Sequence, residues 1–345
     1  GDLFLTNCMT AEIVKTRENA YRDFRIAFTA EIARFCDAHD IDFYLVRERV
    51  NNRLAWSDVA SENPNAVPSG GLLIPTIGVG GHCLPKDGVL LLWRQIEAGG
   101  DMSKSLILEA RRINDESPHE TVLLAEKQFG NLSGKSISLM GTAYRFNSED
   151  TRNSPTLALA RLLLQKGCKV IMHDPFVKTD DQNLHRLDLQ KYFTQDLNRA
   201  LKDSDLLIFC TAHKIYQDEI DNIMRSSGSL EGIFDGCNLF RPDLTGKPLK
   251  FSGIGKGKNP PKDELIDFVY ESFRAVEQGF ANEIQRFIDF ANEKYAMDDF
   301  NRVDFSEVQQ IAGTCITGCQ LVDPGPIIRI PDSMGLSSRL VNCAE

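Results

Sequence analysis

Ile137-Ser-Leu-Met-Gly141, a helical run from Ser154 to Lys166 opened by Pro155, and Lys169-Val-Ile-Met-His-Asp174 together decide the fold. Two short apolar runs of strand length joined through one helix make a β-α-β unit, because parallel strands need a crossover of that kind. The grammar then repeats: a helix over Asp196–Lys202, strands over Leu206–Thr211 and Gly232–Asp235, and a final Phe251-Ser-Gly-Ile-Gly-Lys256. This predicts a doubly wound α/β sheet, in which ligands lie beyond the carboxyl ends of the strands. The loop there is Gly141-Thr-Ala-Tyr-Arg-Phe-Asn-Ser-Glu-Asp-Thr-Arg152, whose Arg145 and Arg152 can hold phosphates. Taken alone, two loop arginines are more often ordinary surface charges.

Upstream of Gly134 the pattern is helical throughout. From Met9 to about Ala38 apolar Ile13, Phe24, Ile26, Ala27, Phe28, Ile32 and Phe35 share one broad face. Lys15 and Asn19 stand four residues apart on that helix, so an ammonium and an amide can reach one spot and meet a developing oxyanion. An arbitrary Lys/Asn pair is usually just a solvated face. A second helix is expected near Phe43–Arg53, then a loop from Ser61 to Gly71. It leads into Gly78-Val-Gly-Gly-His-Cys-Leu-Pro-Lys-Asp87, where glycines deliver Cys83 to the mouth of the apolar run Val89–Trp93. Helix amides and a neighbouring lysine favour thiolate, the form that attacks carbonyl carbon. Asp87 falls on the same helical face as Cys83. Further helices run to Phe129, with Ser117-Pro-His-Glu120 expected to cap a separate last one.

Composition narrows the class. A net charge of -10 argues against a general nucleic-acid binder. No apolar run approaches the ~18 residues of a membrane span, and Gly1-Asp-Leu-Phe4 lacks the basic start of a secretory leader. Nine cysteines are scattered, several inside apolar strand-like segments, which predicts a reducing, cytoplasmic setting. Cys315 and Cys319 have no second ligand pair nearby, so no metal is expected.

Several separated motifs, taken together, resemble the UDP-glucose/GDP-mannose dehydrogenases, NAD-dependent enzymes that oxidise the C6 alcohol of a nucleotide sugar. They are Lys15-Thr-Arg-Glu-Asn19-Ala-Tyr-Arg22, Gly80-Gly-His-Cys83-Leu-Pro-Lys-Asp87, Arg112-Ile-Asn-Asp115, Glu149-Asp-Thr-Arg152-Asn-Ser-Pro155 and Asp235-Gly-Cys-Asn238. The resemblance implies an all-α central dimerisation domain (residues 11–132) followed by a doubly wound, Rossmann-like UDP-binding α/β domain (133–258). It implies a thiohemiacetal and then a thioester on Cys83, oxyanions stabilised by Lys15 and Asn19, and water oriented by Asp87. Gly80, Gly81, His82, Arg145 and Arg152 would contact a UDP-sugar. His82 is similar to the branch acting on UDP-N-acetylmannosamine or UDP-N-acetylgalactosamine, in the making of surface polysaccharide precursors. A homodimer through the long helix is implied as well.

The departures are specific. The family's amino-terminal NAD domain, with its G-x-G-x-x-G, is not in the sequence, so residues 1–10 read as its remnant, Leu3-Phe-Leu-Thr6 as the end of a strand, and turnover by this chain alone is not expected. Ala30-Glu31, Arg145-Phe146 and Cys237 replace the usual Asn-Glu, Lys-Pro and the arginine of D-G-R-N. The other reading is a non-catalytic nucleotide-sugar binding or assembly module.

Residues 259–345 exceed the family's usual length. At an offset of 252, Arg274, Phe280, Glu283, Ile284, Arg286, Phe287 and Asp289 repeat residues of the long helix, while Lys15 and Asn19 map to Asp267 and Glu271. This predicts a degenerate copy of that helix, used for packing or oligomerisation and carrying no chemistry. Two amphipathic helices can also match by chance.

Overall fold

The computed structural model describes residues 3–60, 71–226, 229–240, 249–312 and 338–344. The expected loop at 61–70, Cys315 and Cys319, and the Gly/Pro-punctuated stretch at 313–337 lie outside the described residues. Leu3 to Asn7 form no strand, contrary to expectation, and Leu3 and Leu5 stand in solvent.

Helix α1 (Cys8–Ala38) starts where Asn7 accepts the Thr10 amide at 2.7 Å, and it buries Phe24, Phe28 and Ile32 completely. Helices α2 (Phe43–Ala60), α3 (Leu84–Glu97) and α4 (Leu106–Phe129) pack around it. Sequence reading breaks the last of these at Ser117-Pro118, yet α4 runs straight through. Pro118 removes one backbone bond, but the Ser117 and Thr121 hydroxyls donate to carbonyls one turn back at 3.0 and 2.8 Å. Arg34 of α1 also donates to Ile113 O at 3.0 Å, so tertiary contacts hold the turn that the proline weakens.

The second unit holds β1 (Ser136–Met140), α5 (Pro155–Gln165), β2 (Lys169–His173), α6 (Gln182–Arg186), β3 (Phe193–Thr194), α7 (Leu197–Leu201), β4 (Leu206–Phe209), α8 (Lys214–Asp218), α9 (Ile220–Ser226), β5 (Gly232–Asp235) and β6 (Lys250–Gly253). All pairings are parallel, in the order β3-β2-β1-β4-β5-β6. The chain therefore reverses its winding between β1 and β4, and the turn after β1 lies over that crevice.

The remaining helices are α10 (Asp263–Tyr295), α11 (Phe305–Ala312) and α12 (Arg339–Ala344). They belong to the helical core. Phe280 of α10 is fully buried, with its ring centroid 5.3 Å from both Tyr21 and Phe24, and the Tyr21 hydroxyl donates to buried Glu277. The face of α1 that carries Tyr21 and Phe24 is thus covered by α10 within the chain. Among the described residues no helix is long and apolar enough to cross a membrane.

Candidate active site

Cys83 is the N-cap of α3, exposed, and its side chain makes no capping bond. The Cys83 carbonyl instead takes the amides of Lys86 and Asp87 at 3.1 and 2.9 Å, so the thiol stays available at the positive end of the helix. Gly88, one residue after Asp87, lets α3 lie close on α1: a Cβ there would stand 2.8 Å from Ile107 Cγ2 and 3.2 Å from Ala20 Cβ. That approach joins two motifs 68 residues apart. Asn19 Nδ2 donates to Asp87 Oδ2 at 2.7 Å in the interior, while Lys86 Nζ sits 2.5 Å from Asp87 Oδ1. Lys15 stands exposed one turn ahead of Asn19 on the same helix.

The glycine turn before Cys83 is fastened to the second unit. Gly81 N–H donates to the Arg152 carbonyl at 2.8 Å, and Asn153 Nδ2 donates to the Gly81 carbonyl at 2.9 Å. A Cβ on Gly80 would lie 2.4 Å from Tyr144 Cβ and 3.0 Å from Asn153 O, so only glycine fits beneath that ring. Arg152 is exposed and gripped by Asp150, whose carboxylate receives Nε at 3.0 Å and Nη2 at 2.6 Å. Hydrogen bonding to Arg152 holds the Asp150 carboxyl below its ordinary range. Arg145 and His82 are exposed on the same two loops.

The turn after β1 has a buried foundation. Asp174, at the end of β2, accepts the amides of Thr142, Ala143, Phe176 and Val177 at 2.7 to 3.1 Å and faces His213 Nε2 at 3.0 Å. Burial alone would raise this carboxyl, but the His213 bond and the amides outweigh it and hold it below the usual range. Asn147 N–H donates to His213 Nδ1 at 2.9 Å, so the ring proton is on Nε2 and points at Asp174. The motifs contain Asn153 without giving it a role and leave out Tyr144, Asp174 and His213. Their signal is position, at or just beyond the carboxyl ends of β1, β2 and β4.

Two of the sequence motifs act as struts. Asn114 Nδ2 donates to the carbonyl and carboxylate of Asp23 at 2.8 Å each, and Arg111 meets the same carboxylate at 2.7 Å, tying α4 to α1. Burial still pushes Asp23 up to about 6. In Asp235-Gly-Cys-Asn238 the aspartate accepts the amides of Cys237, Leu239 and Phe240, and Cys237 lies in the interior with its thiol raised by burial. A cleft of about 460 Å³ lies between the units, lined in part by Lys86, Asn114, Asn153, Arg161 and Arg186. Cys83 does not line it.

Neither glycine turn fits a dinucleotide. The turn at 78–81 is pressed on Tyr144, and a Cβ on Gly141 would stand 2.5 Å from Thr211 Cβ, so both glycines serve protein packing. Among the described residues no group of His, Cys, Asp and Glu is placed to hold a metal ion.

Fold and site define a class: a parallel nucleotide-binding sheet whose ligand-end turn clamps a thiol at a helix N-terminus. The chain belongs to the UDP-glucose/GDP-mannose dehydrogenase family, matching its central domain over residues 9–116 and its UDP binding domain over 138–242. The UDP-N-acetyl-D-mannosamine dehydrogenase of Pyrococcus horikoshii is 31% identical over 261 residues, 74% of this chain and 54% of that protein. A solved UDP-D-ManNAc dehydrogenase structure from the same organism superposes with a TM-score of 0.57 at 32% identity, over 74% of this chain and 54% of the other. The NDP-N-acetyl-D-galactosaminuronic acid dehydrogenase structure from Methanosarcina mazei gives 0.58 at 28% identity, over 72% and 51%. The chain spans about half the length of the relatives it matches.

Proposed function

We propose that this chain carries the thiol and nucleotide-binding parts of a UDP-N-acetylhexosamine 6-dehydrogenase, with UDP-N-acetylmannosamine as substrate, in a cytoplasmic route to surface polysaccharide. The observation that carries the reading is the buried Asn19–Asp87 bond of 2.7 Å beneath the helix end that presents Cys83.

The chemistry follows from these side chains. Cys83 thiolate adds to the C6 aldehyde, forming the S–C bond while the carbonyl π pair moves onto oxygen. Lys15 Nζ and the Asn19 amide stabilise that oxyanion. After the second oxidation, water attacks the thioester, the S–C bond breaks, and the acid and the Cys83 thiolate are released. Asp87, held by Asn19 and Lys86, orients that water and receives its proton. Arg152 and Arg145 hold the diphosphate, with Tyr144 fixing the loop that joins them to Cys83. NAD would supply the hydride acceptor for both oxidations; the described residues form no cradle for it, and turnover would need a dinucleotide domain in addition to these parts.

Calorimetry with UDP and UDP-N-acetylmannosamine, run alongside Cys83 alkylation, tests this. Binding that slows alkylation at Cys83, with Cys83→Ser binding as tightly as the natural chain, is the expected result. Absent binding together with alkylation indifferent to ligand would refute it.

A further inference from the structure

Residues 263–312 and 338–344 pack on the helical unit through contacts that occur in exchanged pairs. Phe28 packs on Phe273 with ring centroids 5.6 Å apart, and Tyr21 packs on Phe280 at 5.3 Å. At the offset of 252, Phe273 and Phe280 are the counterparts of Tyr21 and Phe28. One contact is therefore made twice, between helices running in opposite directions.

A second exchange involves two buried glutamates, themselves counterparts. Glu31 of α1 accepts the Ser338 hydroxyl and Arg339 amide at 2.8 Å each and the Leu340 amide at 3.2 Å, capping α12. Glu283 of α10 accepts the Ser105 hydroxyl at 2.5 Å and the Ile107 amide at 3.3 Å, capping α4. Each serine in turn accepts the amide three residues on, Leu108 at 3.1 Å and Val341 at 3.2 Å. Each long helix thus caps a short turn on the other side.

The third exchange is between α2 and α11. Asp42-Phe43-Tyr-Leu-Val46 opens α2 and Asp304-Phe305-Ser-Glu-Val308 opens α11. In both the aspartate caps, taking the Tyr44 amide at 2.8 Å and the Glu307 amide at 3.0 Å. Helix α2 lies on α10 and α11 lies on α1. Exchanged pairs of this kind, residue i on j and j on i, define an isologous two-fold interface.

We propose that α10, α11 and α12 are a degenerate second copy of the helical unit and that the chain is a single-chain pseudo-dimer. In it α10, α11 and α12 sit where a two-fold partner's α1, α2 and α4 would sit. The inference does not depend on the substrate. The second copy has exchanged chemistry for adhesion, since Asp267 and Glu271, the counterparts of Lys15 and Asn19, pair with Arg53 of α2. The pseudo-dimer therefore holds one set of the thiol-site side chains of α1, and the apolar face of α1 is closed to a second chain.

Light scattering and hydrogen exchange on the full chain at micromolar concentration test the closure. A mass of one chain, 38.6 kDa, or association that leaves the amides of residues 21–28 unchanged, supports it. Association that protects those amides further overturns it. The reciprocity is tested separately. Glu31→Gln should quicken exchange at residues 340–343 roughly five- to tenfold, and Glu283→Gln should do the same at 107–109, each leaving the other segment alone. Faster exchange confined to the substituted helix would overturn it.

Discussion

Phe280→Ala separates an appendage from a structural half. The ring is fully buried, packed on Tyr21 and Phe24 at 5.3 Å, with the Arg17 guanidinium 6.0 Å from its centroid. Removing a buried phenylalanine costs about 3–5 kcal/mol, and the two lost ring pairs put this site in the upper part of that range. With a urea dependence of about 2–3 kcal/mol per molar, the midpoint should fall by about 1–2 M. The probe is supplied by the sequence, whose only two tryptophans, Trp56 and Trp93, lie in the first copy. Trp93 fluorescence reports on α3, far along the chain from the substitution. A matching fall in the tryptophan midpoint is expected, while Phe300→Ala, 78% exposed, should stay within about 0.5 kcal/mol. An unchanged tryptophan transition, with a small separate melt seen only by circular dichroism, would refute the reasoning.

Two further predictions concern the first unit and its clamp. Burial pushes the Asp37 carboxyl up to about 7, against the opposing Gly255 amide and Lys127, so its stabilising contribution is complete below an unfolded pKa of about 4 and fades as pH rises through about 7. The chain should lose on the order of 2–4 kcal/mol between about pH 4 and pH 8 from this group, and Asp37→Asn, which keeps an acceptor for Gly255, should flatten urea midpoints measured across that range; an equal slope in the variant counts against it. Gly80→Ala forces a methyl against Tyr144 Cβ and the Asn153 carbonyl, so stability should fall by about 1–3 kcal/mol and ligand protection of Cys83 should vanish. Protection retained at full strength would show that the turn has room to move.

The second unit is the part most legible in the sequence. Strand periodicity and Pro155 locate β1, α5 and β2 to within about a residue, because each is specified by local pattern. Strand β3 escapes, since two residues carry no period. Helix α4 is misread at Pro118 because contacts from another helix, Arg34 to Ile113 O and to Ser117 Oγ, brace the turn that the local sequence weakens. In the site, motif spacing finds Cys83, Asp87, Lys15 and Asn19 as separate pieces. The bond between Asn19 and Asp87 depends on how closely α3 lies on α1, which no local window contains. The repeat of the long helix is visible as matching letters. Its exchanged contacts are not, because they join positions more than 170 residues apart.

Arg25 and Glu277 are counterparts in the two copies, and they attract one another at the centre of the crossing. In an assembly of identical chains that position would set arginine against arginine, a buried like-charge encounter that costs several kcal/mol. Fusing the halves into one polypeptide fixes their ratio at synthesis and frees each side to mutate without its image changing too. The chain is in this sense an obligate heterodimer with a peptide bond for a tether, and its asymmetry guards it from pairing with its siblings.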